Sequence, residues 1–181
     1  MRVVAIGGGE IGRPGTSIET REIDEEIVRI SGKKHPKTLL LPTASGDDSN
    51  YYETFSSYYG SILGCLTDVL HLFRRELTPP EIERKVLHSD IIYVGGGNTL
   101  RMLKLWRRRG LDNILRKAGD KGVVLSGVSA GAICWFAYGN SDSRKFGSKR
   151  NRELIRLRGL GFLPWICCPH YDTLNQRENR L

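Results

Sequence analysis

The chain is predicted to fold as a doubly wound, three-layer α/β protein on a mostly parallel sheet. Three observations predict it. Short continuous apolar runs recur along the sequence, amphipathic helical patterns lie between them, and most runs end in a glycine- or proline-rich turn. Unbroken apolar runs suit strands buried on both faces, and strand–helix alternation without internal repeats suits a parallel sheet covered on both sides.

The strands are expected over 3–6, 38–41, 68–72, 91–94, 123–125 and 165–167. A helix over 19–31 places Ile23, Ile27 and Ile30 on one face, and 51–63 carries aromatics at helical spacing. A third helix over 80–87 follows Thr78, with proline near its first position and Glu81 three residues past the cap. Helices over 98–109 and 111–118 are expected to be separated by Gly110 as a C-cap, and another is expected over 130–136. The basic, glycine-rich stretch 143–164 is expected to be irregular, with a short helix near 151–157. No linker interrupts the pattern, so residues 1–181 are expected to form one domain.

Composition excludes several classes. No run approaches the roughly 18 apolar residues of a membrane span, and the start Met1-Arg2-Val3-Val4 suits a strand rather than a signal peptide. A cytoplasmic protein, monomeric or homodimeric, without membrane partners is expected. Cys65, Cys134, Cys167 and Cys168 show no C-x-x-C spacing, so reduced thiols are expected and neither metal nor cofactor. The net charge is +8: residues 1–100 carry 11 basic and 14 acidic side chains, residues 101–181 carry 17 and 6. A nucleic-acid surface is disfavoured, because Arg107, Arg108 and Arg109 end a helix and the basic loop lacks interleaved aromatics.

In an open parallel sheet ligands gather beyond the carboxyl ends of the strands. There the sequence places Gly7-Gly8-Gly9-Glu10, Pro42-Thr43-Ala44-Ser45, Gly95-Gly96-Gly97-Asn98, Gly127-Val128-Ser129-Ala130-Gly131 and Cys168-Pro169-His170-Tyr171-Asp172. The fourth is a G-x-S-x-G between strand and helix, the context of a nucleophile elbow, which makes Ser129 the candidate nucleophile. A serine hydroxyl needs a base. Of the four histidines, His35 lies in a polar turn, His71 near a strand end and His88 at a helix end, leaving His170 on the rim. The orienting carboxylate is Asp142 by preference, with Asp172 and Glu10 as alternatives. The oxyanion donors are the N–H of Ala130 and a glycine N–H from Gly95–Gly97, most naturally Gly97. Gly7–Gly12 also fits G-x-G-x-x-G, but Pro14-Gly15 breaks the helix that a dinucleotide site requires, and the second strand does not end on an acidic residue.

Val94-Gly95-Gly96-Gly97-Asn98-Thr99, Gly127-Val128-Ser129-Ala130-Gly131-Ala132 and Pro169-His170-Tyr171, in this order, resemble the peptidase E (aspartyl dipeptidase) and cyanophycinase family of serine peptidases. The resemblance implies a class I glutamine-amidotransferase-like, flavodoxin-like fold with serine in place of the cysteine nucleophile. It implies a small peptide substrate, a dipeptide or short peptide with an N-terminal aspartyl residue. Ser129 is then the nucleophile, His170 the base, and Gly97 and Ala130 the oxyanion donors. Gly96 and Asn98 line the substrate, and Arg177 receives its acidic side chain, a pairing suited to a bidentate guanidinium. The sequence departs from the family between Ser129 and His170, where it is longer and more basic. The given sequence runs eleven residues past His170, a stretch after which the resemblance implies further strands and a helix. An inactive ligand- or partner-binding member of this fold and an α/β-hydrolase-type esterase are the alternative readings.

Overall fold

The computed structural model describes residues 1–74, 76–146 and 154–171. Five parallel strands form the main sheet: β1 (Arg2–Ile6), β2 (Lys37–Leu41), β3 (Leu66–Val69), β4 (Ile91–Val94) and β5 (Val124–Val128), in the order β1-β5-β4-β2-β3. The helices are α1 (Arg21–Ser31), α2 (Ser49–Phe55) continuing as a π-helix over Ser56–Ile62, α3 (Pro79–Leu87), α4 (Thr99–Arg109), α5 (Leu111–Asp120) and α6 (Ala130–Ile133). A second sheet holds β6 (Phe136–Ser141), β7 (Ile155–Arg158) and β8 (Leu163–Cys167) in the order β7-β6-β8.

Strand alternation divides the core into the two faces of a three-layer sandwich. Leu39, Leu41, Ile92, Val94 and Leu125 pack with Met102, Leu103, Trp106 and Leu115 of α4 and α5. Leu40, Ile91, Tyr93 and Val124 point the other way, to Ile27 of α1 and to Phe55, Tyr58 and Tyr59 of α2 and its π-extension. β4 and β5 are wholly buried, and β2 is buried apart from Lys37. β1 and β3 sit at the edges; β3 alternates in exposure and β1 is buried only at Ile6, so burial on both faces holds only for the central strands.

Local signals placed the helix ends. The Thr78 N–H and hydroxyl both donate to Glu81 Oε2 at 2.7 Å, closing the expected capping box. Gly110 adopts φ 68° between α4 and α5. Four expectations are corrected. The strand placed at 68–72 is Leu66–Val69, because its register against β2 starts at Lys37 opposite Leu66. The strand expected at 123–125 runs on to Val128, straight into the turn at Ser129. The helix expected over 130–136 stops at Ile133, and Phe136–Ser141 becomes a strand paired on both sides. The helix expected near 151–157 is replaced at Ile155–Arg158 by β7; residues 151–153 lie outside the described residues.

Asp24, fully buried on α1, accepts from the Thr20 hydroxyl at 2.7 Å and the Tyr59 hydroxyl at 2.6 Å, tying α1 to the π-helix. Burial pushes its carboxyl above the usual range, against these hydrogen bonds, which hold it down. A carboxyl that binds its proton more tightly folded than unfolded stabilises fully below the unfolded pKa of about 3.9, and that contribution is lost as pH rises through the folded value. Asp24→Asn removes this titration. In thermal melts from pH 4 to 7 the variant is expected to gain on the wild type as pH rises; a constant gap would exclude Asp24 from the pH dependence.

Candidate active site

β5 delivers Ser129 at the carboxyl end of the sheet, and α6 begins at the next residue. Ser129 holds φ 54° and ψ −107°, a region L-residues avoid, at a cost of roughly 1–3 kcal/mol. The surroundings over-determine it. The Ser129 N–H donates to Ile6 O at 2.9 Å, and Ala132 and Ile133 N–H both donate to Ser129 O at 3.0 Å. The elbow is pressed onto the end of β4: a Cβ on Gly131 would stand 2.1 Å from Val94 O.

His170 reaches the serine from the small sheet. β8 ends at Cys167, Pro169 is buried, and the His170 N–H donates to Gly7 O at 3.0 Å, beyond the end of β1. The imidazole lies so close to Gly8 that a Cβ there would stand 2.5 Å from Nδ1. His170 Nε2 is 2.9 Å from Ser129 Oγ, a hydrogen bond between residues 41 apart in sequence. Of the other histidines, His35 Nδ1 meets Gly64 O at 2.9 Å and His88 Nδ1 meets Arg84 O at 2.8 Å, both remote in the chain from this rim.

The glycine loop after β4 runs beside the elbow, with a Cβ position on Gly96 only 3.6 Å from Ser129 Cβ. Its amides are accounted for one by one. Gly95 N–H donates to Leu41 O at 3.1 Å, Gly96 N–H to the Tyr51 hydroxyl at 3.4 Å, and Asn98 N–H to Ala44 O at 2.8 Å. Gly97 N–H has no acceptor among the described residues. Gly97 holds φ 137°, and a Cβ there would lie 2.4 Å from Ala44 O, so both conformation and space demand glycine. Ala130 N–H, at the first position of α6, is one of the amides that a helix leaves unpaired. Asn98 caps α4, its Oδ1 accepting from Arg101 N–H at 3.0 Å.

The three carboxylates stand differently. Both Glu10 oxygens accept from the Arg13 guanidinium. Asp142 follows β6, which runs parallel to β8 with Gly139 opposite Cys167, so Asp142 and His170 leave adjacent strands three residues past that pair. Its neighbours Ser141 and Ser143 anchor the turn to α4: Ser141 Oγ donates to Thr99 Oγ1 at 3.2 Å, and Ser143 Oγ accepts from Leu100 N–H at 3.1 Å. Asp172 and Arg177 lie outside the described residues.

Tyr51, on α2, belongs to the aromatics at helical spacing over 51–63, and nothing in that spacing distinguishes it from the others. Its ring lies against Gly95, with Cε1 2.6 Å from that residue's Cβ position. Burial pushes its phenol up to about 12, against the Gly96 N–H and the Arg13 charge, which lower it. Among the described residues, no cluster of three His, Cys, Asp or Glu could hold a metal ion. Burial raises the Cys134 thiol and pushes Cys167 up to about 11, so neither is an activated nucleophile. No described helix is long and apolar enough to cross a membrane.

The sequence matches peptidase family S51 over residues 3–181. The chain belongs to peptidase family S51. It is 42% identical to the uncharacterized peptidase YgaJ of Bacillus subtilis strain 168 over 181 residues, covering 98% of this chain and 71% of that protein. It is 27% identical to the uncharacterized peptidase Lmo0363 of Listeria monocytogenes over 140 residues, 77% of this chain and 67% of the other. Among solved structures, a peptidase from an acI-B1 Actinobacterium matches with a TM-score of 0.71 at 21% identity, over 94% of this chain and 68% of that one. A candidate peptidase E protein from Listeria monocytogenes EGD-e matches with a TM-score of 0.62 at 22% identity, over 89% and 73%. The S51 chain is thus a peptidase with the class I glutamine-amidotransferase-like α/β fold expected from its motifs.

Proposed function

We propose that this S51 peptidase is a serine peptidase acting on dipeptides or short peptides with an N-terminal aspartyl residue. The observation that carries the reading is the 2.9 Å contact between His170 Nε2 and Ser129 Oγ on a strained elbow. Ser129 Oγ attacks the carbonyl carbon of the scissile bond while its proton passes to His170 Nε2. Negative charge on the tetrahedral oxygen meets the Gly97 and Ala130 N–H groups, which need no rearrangement to receive it. The C–N bond then breaks, and Nε2 returns the proton to the departing amine. Water, deprotonated by His170 Nε2, then attacks the acyl carbon; the bond to Ser129 Oγ breaks as Nε2 returns the proton to that oxygen, freeing the N-terminal product. Asp142 is assigned the role of holding the imidazole in the tautomer protonated at Nδ1.

Gly96 and Asn98 form the substrate-side wall beside Ser129, and Arg177 is assigned the acidic side chain by resemblance to the aspartyl dipeptidases. A charge-assisted pair contributes about 1.5–3 kcal/mol, so the Asp-X over Ala-X preference is expected to fall about 10- to 100-fold in Arg177→Ala. Purified protein assayed on a panel of Asp-X and Ala-X dipeptides checks both statements. No turnover of any peptide sinks the peptidase mechanism, whereas turnover with an unchanged preference ratio removes only Arg177.

A further inference from the structure

We propose that Tyr51 is a positioning residue for the oxyanion loop: its ring lies on Gly95 and its hydroxyl accepts the Gly96 N–H, so that the Gly97 N–H faces the substrate oxygen. The inference rests on the serine-peptidase reading above.

Three consecutive glycines have no side chains with which to anchor their peptide planes, and each plane rotates at little steric cost. A preorganised donor needs those planes held before the charge develops. Backbone holds the two ends of the loop, Gly95 N–H on Leu41 O and Asn98 N–H on Ala44 O. Between them a side chain does it: the Gly96 N–H is 3.4 Å from the Tyr51 oxygen. The bond is long, as catalytic-site hydrogen bonds commonly are until substrate binds. The ring closes one face of the loop, with Cε1 and Cζ 2.6 and 3.0 Å from the Cβ position of Gly95. With its neighbours engaged and no acceptor of its own among the described residues, the Gly97 amide is left for a ligand beside Ser129.

Tyr51 is itself fixed. It occupies α2, whose start is capped by Asp48 accepting from Asn50 N–H at 3.0 Å, and it packs against the cluster of Phe55, Tyr59 and Tyr93. Burial keeps the phenol protonated. A neutral hydroxyl can take the Gly96 N–H without placing a second negative charge beside the oxyanion.

Tyr51→Phe keeps the ring and removes only the acceptor. Steady-state kinetics on the best dipeptide are expected to show kcat about tenfold lower with KM within about twofold, less than the 10²–10³ for deleting a donor outright. Inhibition by a peptide aldehyde, which forms a tetrahedral adduct on Ser129, should weaken by a similar factor. Affinity for the product peptide and the melting temperature should stay unchanged. An unchanged kcat overturns the proposal. So does an equal loss of aldehyde and product affinity, which would mean general loosening of the site. Wild-type protein that neither turns over peptides nor reacts at Ser129 with an organophosphorus probe overturns the underlying peptidase reading, and the role of Tyr51 with it.

Discussion

Replacing Ser129 with alanine is expected to lower kcat/KM for peptide hydrolysis by at least about 10³-fold while leaving the melting temperature within about 2 °C of wild type. The side chain is a single hydroxyl on a half-exposed rim, and alanine keeps the Cβ that the elbow already accommodates. Ser129→Gly is expected to be equally inactive but to melt above Ser129→Ala. Glycine adopts φ 54° without steric cost, and relief of about 1 kcal/mol outweighs its extra chain entropy. Activity assays and differential scanning calorimetry on the pair separate the chemistry of the hydroxyl from the strain of its backbone. Retained turnover in either variant would remove Ser129 from the mechanism. Asp142→Asn belongs to the same experiment: an orienting carboxylate lost to its amide lowers kcat by about 10⁴. A normal kcat in that variant, with a loss in Asp172→Asn, would move the role to Asp172.

Gly131→Ala is expected to be among the most destabilising single changes in the chain. The added Cβ would stand 2.1 Å from Val94 O and 2.7 Å from Val94 C, backbone atoms of a wholly buried strand. No rotamer change relieves that clash; α6 or β4 must move. A loss of about 3 kcal/mol or more follows, lowering the melting temperature by roughly 6–12 °C in a domain of this size. Gly60→Ala is the control. Its Cβ would meet nothing closer than 3.7 Å, and its stability is expected to stay within about 1 kcal/mol of wild type. Equal melting temperatures for the two variants would contradict the packing described for the elbow.

Much of the main sheet was legible because its signals are local. Ile91–Val94 is an unbroken apolar run, and it is a strand with those bounds. Thr78 with Glu81, and Gly110, mark helix ends through hydrogen bonds and dihedral angles set within a few residues. β6 and β7 were not legible. Tyr138-Gly139-Asn140 carries no apolar run, and Ile155–Arg158 alternates apolar with basic residues. Such segments become strands because each finds a partner distant in the chain, β6 taking β7 on one side and β8 on the other. Tyr51 was hidden for a related reason: spacing shows that Tyr51, Phe55, Tyr58 and Tyr59 share a helical segment, but not which of them turns from the core to the glycine loop.

By itself the sequence determined the residue types at the rim: a serine in a glycine-tight turn after one strand, a histidine after another, and three glycines after a third. These follow from chain-local patterns and from the rule that parallel strands expose their carboxyl ends together. Only the tertiary structure decided that His170 Nε2 meets Ser129 Oγ, that Gly97 N–H has no acceptor among the described residues while its neighbours are engaged, and that Glu10 is taken by Arg13. Those outcomes depend on distances of about 3 Å between segments tens of residues apart. Strand order, register and the packing of the second sheet set such distances, and no local pattern encodes them.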